Sequence, residues 1–76
     1  MKQLAETILK RLIDNPDDLV VEETQVNNSI KLKVSAHPSD IGKIIGKKGQ
    51  NATAVRTILK AVAVKEQQKS LSLDID

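Results

Sequence analysis

The residues best placed to do chemistry lie mid-chain, where two glycines bracket two lysines in Gly46-Lys47-Lys48-Gly49. Glycine has no Cβ, so a backbone built on it can turn sharply and come close to a ligand. Lys47 and Lys48 add two mobile cations, and Lys43 lies about one helical turn before them. A helix is expected from Gln50 onward, and its unpaired N–H groups and positive dipole end favour phosphate. The implied chemistry is a non-covalent grip on a sugar-phosphate backbone. Gly46 and Gly49 permit the close approach, while Lys47, Lys48 and Lys43 supply charge. Ile41 and Ile45 either line an adjoining groove or sit in the core, and the sequence does not separate these readings. A bare G-x-x-G is common, and the competing reading is a glycine turn in a helical hairpin with no ligand. A Walker A loop is excluded, because Lys48 stands where that motif needs Ser or Thr.

Other reactive residue types are sparse. His37, Ser39 and Asp40 name the members of a triad, yet they crowd into one helix start, where a preorganised triad is not expected. Asp17-Asp18 and Glu22-Glu23 lack a second ligand cluster and read as a solvated acidic loop and strand. With no Cys, thiolate chemistry and Cys-rich metal sites are out. With no Phe, Tyr or Trp, modules that stack bases on aromatic rings are out as well. No enzyme activity, metal or cofactor is expected.

Helical spacing of Leu4, Ile8 and Leu12 predicts an amphipathic helix over roughly 2–14, ended by Asn15-Pro16. Leu19 to Val26 predicts a strand, and Asn27-Asn28 a tight hairpin. Ile30, Leu32, Val34 and Ala36 alternate with Lys31, Lys33 and Ser35, the period of a half-buried strand. His37-Pro38-Ser39-Asp40 predicts a helix start, with Ser39 able to cap and Asp40 complementing the dipole. Ile41, Ile44 and Ile45 form the apolar face of that short helix, and Gly42 is expected to pack closely against a neighbour. A second helix follows over Gln50 to Glu66. Leu71, Leu73 and Ile75 then alternate with polar residues in a third strand. The order α-β-β-α-α-β predicts an α+β two-layer sandwich, a three-stranded sheet covered by helices, with strand order left open.

Seventy-six residues allow one small domain, 1–76, with a thin core. No signal peptide is expected, since Glu6, Lys10 and Arg11 interrupt the apolar pattern early, and no run suits a membrane span. A cytoplasmic location fits. The net charge of +2 is unevenly spread. Residues 1–30 hold three cations against six carboxylates, and residues 31–76 hold nine against four. That asymmetry suits a polyanionic partner, although a solvated lysine-rich surface would look the same. Whether Lys31 and Lys33 would extend a ligand path or only solubilise the sheet is left open.

The segment Ile41-Gly42-Lys43-Ile44-Ile45-Gly46-Lys47-Lys48-Gly49-Gln50-Asn51-Ala52 resembles the core signature of KH domains, in the type II, bacterial element order. Asn15-Pro16-Asp17, Pro38 with Asp40-Ile41-Gly42-Lys43, and Arg56-Thr57-Ile58 extend the likeness to small stand-alone bacterial KH proteins of the KhpA type. The resemblance covers nearly the whole chain. It implies single-stranded RNA held at the G-x-x-G loop, in an aliphatic groove that needs no aromatic rings. It also implies an RNA chaperone or post-transcriptional role, with links to cell elongation, division and shape. Gln50 departs from the resemblance, since Arg is common there, and the missing charge would weaken the phosphate grip.

The last helix carries an independent signal. Thr53, Arg56, Thr57 and Lys60 share a polar arc, while apolar residues cover about 200° of the rest. One core face needs a stripe only somewhat over about 100° wide. The surplus predicts a dimer surface at Ala54, Ile58 and Ala61, against the alternative of a helix wedged into its own core. By resemblance, the partner is a second copy or a KhpB-type protein, also called EloR or Jag. An interaction protein with RNA contact secondary is therefore the alternative function. A helix-turn-helix reader of duplex DNA fits three strands and a G-x-x-G loop poorly.

Overall fold

The computed structural model describes residues 1–68 and 70–76. Its elements are α1 (Lys2–Lys10), β1 (Val20–Val26), β2 (Ser29–Ser35), α2 (Pro38–Ile45), α3 (Gln50–Lys65) and β3 (Ser70–Ile75). The expected order α-β-β-α-α-β is present, as is the α+β class. The sheet order is β1-β2-β3. β2 is central, antiparallel to β1 and parallel to β3. Parallel neighbours need a crossover, and α2 with α3 provides it.

Period-2 alternation sends Ile30, Leu32 and Val34 of β2 to one face, where they are buried with Val21, Leu71 and Leu73. The register sets Leu32 beside Leu73 and Ile30 beside Leu71. The helices cover that face. α1 contributes Ala5 and Leu9, α2 contributes Ile44, and α3 contributes Val55, Leu59 and Ala63. α1 packs over β1, while α3 packs over β3 and against α2. Burying each of the larger side chains stabilises the fold by about 1.5–3 kcal/mol.

Lys31 and Lys33 point to the opposite, open face of the sheet. There Lys31 lies 3.7 Å from Asp74, and Lys33 3.8 Å from Asp76. Asn27 adopts φ 55 in the two-residue hairpin loop between Val26 and Ser29. Among the described residues, no helix is long and apolar enough to cross a membrane.

Local expectations needed correction at four places. α1 stops at Lys10, not near residue 14. Its end tightens through i to i−3 bonds, Arg11 N–H to the Ile8 carbonyl at 3.2 Å and Leu12 N–H to Leu9 at 2.9 Å. The Asp14 and Asn15 N–H groups are thereby free to donate to Asp40 instead. The cap of α2 is His37 rather than Ser39, its Nδ1 accepting from the Ser39 N–H at 3.1 Å. Gly42 is exposed, with nothing within 4 Å of where a Cβ would stand, so it does not mediate close packing. Glu23 is not merely solvated: its carboxylate accepts from the Lys2 N–H at 2.9 Å, at the positive end of α1.

Candidate nucleic-acid interface

The Gly46–Gly49 loop joins the C-terminus of α2 to the N-terminus of α3 through a single 3-10 turn over Lys47–Gly49. Gly46 has φ 75 and ψ 175, a region essentially reserved for glycine. Gly49 has φ 75 and ψ 14, in the left-handed region. Between them Lys48 is also left-handed, at φ 57 and ψ 25. A lysine held there is strained, and such strain gathers at ligand-binding loops. The Gly46 N–H closes on the Gly42 carbonyl at 2.8 Å, and the Gly49 N–H on that of Gly46 at 3.1 Å.

The loop is braced from beneath by Asn51. Its Nδ2 donates to the Lys43 carbonyl at 2.8 Å, satisfying an acceptor in the last turn of α2. A Cβ on Gly46 would stand 2.6 Å from Asn51 Cγ. Thus the side chain of Asn51 fills the space that only a glycine leaves free. The sequence signal was present, a short amide just inside a helix start, but its partner was not legible.

Lys47 and Lys48 are exposed, and among the described residues neither forms an ion pair. No side chain caps α3, and its first turn holds no carboxylate. Gln50 is exposed at that same end. Among the described residues, the two loop lysines and the positive end of α3 thus have no carboxylate paired with them.

Lys43 differs from the loop lysines. Its ammonium bonds the Asp14 carboxylate and lies 3.9 Å from Asp40. The bond to Asp14 holds the Lys43 ammonium above its ordinary value of 10.5, against the pull of partial burial, with the charges of Asp14 and Asp40 adding to the rise. Asp40 is fully buried. Burial by itself would raise its carboxyl, but N–H bonds from Asp14 and from the side chain and backbone of Asn15, with the Lys43 charge, hold it below 3.8. His37 Nδ1 sits 2.7 Å from Ser39 Oγ, while the Asp40 carboxylate is committed to Asp14 and Asn15. The three residue types of a triad thus form a helix cap and a buried anchor.

Of the three α2 isoleucines, only Ile44 is in the core. Ile41 is half-buried and Ile45 is 37% exposed, so both lie outside the core and beside the loop. On α3, the inner face holds Ala52, Val55, Leu59 and Ala63. Ala54 and Ala61 are exposed, and Ile58 is 47% exposed, so this second face is not wedged into the chain's own core.

The family model described as KhpA/KhpB, KH domain, matches residues 2–75. The chain is 51% identical over 69 residues to the RNA-binding protein KhpA of Clostridium acetobutylicum, covering 91% of this chain and 92% of that one. It is 48% identical to the protein of the same name from Clostridium perfringens, with the same coverage. To that of Halalkalibacterium halodurans it is 44% identical over 75 residues, covering 99% and 97%.

Proposed function

The chain belongs to the KhpA/KhpB KH-domain family, and from that premise we propose that it binds single-stranded RNA without catalysis, through the Gly46–Gly49 loop. The observation carrying this reading is the pair of exposed lysines, without an ion-pair partner among the described residues, between two positive-φ glycines at the start of α3. Loops of this kind clamp the backbone of about four nucleotides. Lys47 and Lys48 contact phosphates, Gln50 flanks them, and Ile41 with Ile45 form the aliphatic floor for bases. Lys31 and Lys33 pair with Asp74 and Asp76 on the open sheet face. By resemblance to the family, we extend the proposal to an RNA chaperone or post-transcriptional role in the bacterial cytoplasm, with a part in cell elongation and shape.

The test is titration into a labelled random-sequence pool of single-stranded RNA at fixed salt. Lys47→Asp/Lys48→Asp, shown folded by circular dichroism, is expected to bind at least about tenfold more weakly, since each phosphate contact releases counterions. Labelled duplex DNA should bind more weakly than the RNA. Equal RNA binding by the variant and the unaltered protein would refute the loop assignment.

The exposed Ala54–Ile58–Ala61 face favours a second reading, dimerisation with another copy or with a KhpB/EloR/Jag-type protein. Ile58→Lys would place a charge at the centre of that face. The expected result in analytical ultracentrifugation is a shift from dimer to monomer mass. An unchanged mass would remove this face from the assembly. Partner binding that survives loss of the loop charges would move the interaction role ahead of the RNA role.

A further inference from the structure

Where α2 meets the connection after α1, two carboxylates, Asp14 and Asp40, share one ammonium, Lys43. The net charge of this corner is −1, and Lys43 stands three residues before Gly46 in the chain. Asp40 is buried and fixed by the hydrogen bonds of Asp14 and Asn15, so it cannot leave. Asp14 is different: its side chain is 76% exposed, and only its backbone N–H is used to hold the fold. Its carboxylate therefore sits on Lys43 as a phosphate would, presenting an anionic oxygen to the same ammonium. Lys43 in turn belongs to the loop's scaffold, because its carbonyl is the one bonded by Asn51 under Gly46.

We propose that Asp14 is an intramolecular competitor of the RNA backbone, occupying Lys43 in the free protein and yielding it when a phosphate docks. The proposal rests on the RNA-binding reading above. An exposed ion pair is weak enough to be exchanged, so Asp14 lowers affinity without blocking the site. Because Lys43 meets the phosphate in the complex either way, the number of phosphates neutralised, and with it the salt slope, stays nearly the same. Asp14 is thus an affinity-setting residue outside the loop, acting through Lys43.

The experiment measures binding of the labelled random-sequence RNA pool across a salt series for six proteins. Five are the unaltered chain, Asp14→Asn, Lys43→Met, Asp14→Asn/Lys43→Met, and Lys47→Asp/Lys48→Asp. Asp17→Asn, an exposed carboxylate in the same connection, controls for bare charge removal. Asp14→Asn keeps the N–H that bonds Asp40, and thermal melts check that each variant is folded. The expected result is about threefold tighter binding by Asp14→Asn at a nearly unchanged log–log salt slope, and a slope shallower by about 0.7 for Lys43→Met, the decrement for one single-strand phosphate contact. On the Lys43→Met background Asp14→Asn should give no gain, and Asp17→Asn should give less. Unchanged affinity for Asp14→Asn, with binding lost in Lys47→Asp/Lys48→Asp, would overturn the competition while leaving the RNA reading intact. An equal gain with and without Lys43 would also overturn it, reducing Asp14 to a long-range field effect. If Lys47→Asp/Lys48→Asp binds like the unaltered chain, both readings fall together.

Discussion

Gly46→Ala is expected to lower stability by about 3 kcal/mol and, at temperatures where the variant remains folded, to abolish most RNA binding. Two costs combine. At φ 75 and ψ 175 an alanine is strained whatever space surrounds it. The new Cβ would also meet Asn51 Cγ at 2.6 Å, Cβ at 2.8 Å and the backbone nitrogen at 2.9 Å. Rotating the Asn51 side chain relieves only the contact with Cγ and gives up its bond to the Lys43 carbonyl, while Cβ and the backbone nitrogen stay where the backbone holds them. The loop must therefore change its path, and Lys47 and Lys48 move with it. The other glycines serve as internal controls. Gly49→Ala meets no atom within 4 Å and suffers only the left-handed backbone cost, about 1 kcal/mol. Gly42→Ala, exposed within α2 and free of contacts, should stabilise by about 0.5–1 kcal/mol. Denaturant titrations of the three variants measure the ranking. Equal losses at Gly46 and Gly49 would show that backbone strain alone matters and that Asn51 does not brace the loop.

Features set by neighbours in sequence were legible from sequence. The alternation of β2 and the span of α3 depend on local period, and both were found nearly to the residue. The G-x-x-G loop was found because its glycines are needed by local geometry. The surplus apolar arc of α3 likewise pointed to a second face, and Ala54, Ile58 and Ala61 are indeed outside the core. Features set by distant partners were not legible. α1 stops at Lys10, and the chain beyond it turns so that Asp14 and Asn15 reach Asp40, some 25 positions away. The parallel pairing of β3 with β2 depends on how the α2–α3 crossover returns, which no local pattern encodes. Both Ser39 and His37 are plausible caps by sequence, and the structure selects His37, because an imidazole nitrogen can accept as a hydroxyl does. Gly42 looked like a packing residue by its spacing from Gly46, yet its face of α2 looks outward. Ile41 and Ile45 could be placed only once Ile44 was seen to fill the core alone.

Asp40→Ala should be among the most damaging single substitutions in the chain, lowering the thermal midpoint at neutral pH by roughly 10 °C or more. Its carboxylate accepts from the Asp14 N–H at 3.2 Å, the Asn15 N–H at 2.9 Å and Asn15 Nδ2 at 3.0 Å. Removing it leaves partly buried backbone donors without an acceptor, and leaves Lys43 with Asp14 alone. The α1–β1 connection would then lose its attachment to α2, and the 3-10 turns that end α1 would lose their purpose. The loss should also depend on pH in a definite direction. The folded carboxyl lies below 3.8, so the folded chain binds fewer protons than the unfolded chain in mild acid. The stability that Asp40 contributes is fully present above about pH 4–5 and is lost as pH falls through the folded value. The unaltered protein should therefore lose stability faster than Asp40→Ala on acidification, and the two melting curves should converge at low pH. Thermal melts followed by circular dichroism across the acid range measure this. A constant gap between the two proteins at every pH would mean that the buried carboxylate is not the anchor, and that the damage at neutral pH comes from lost packing alone.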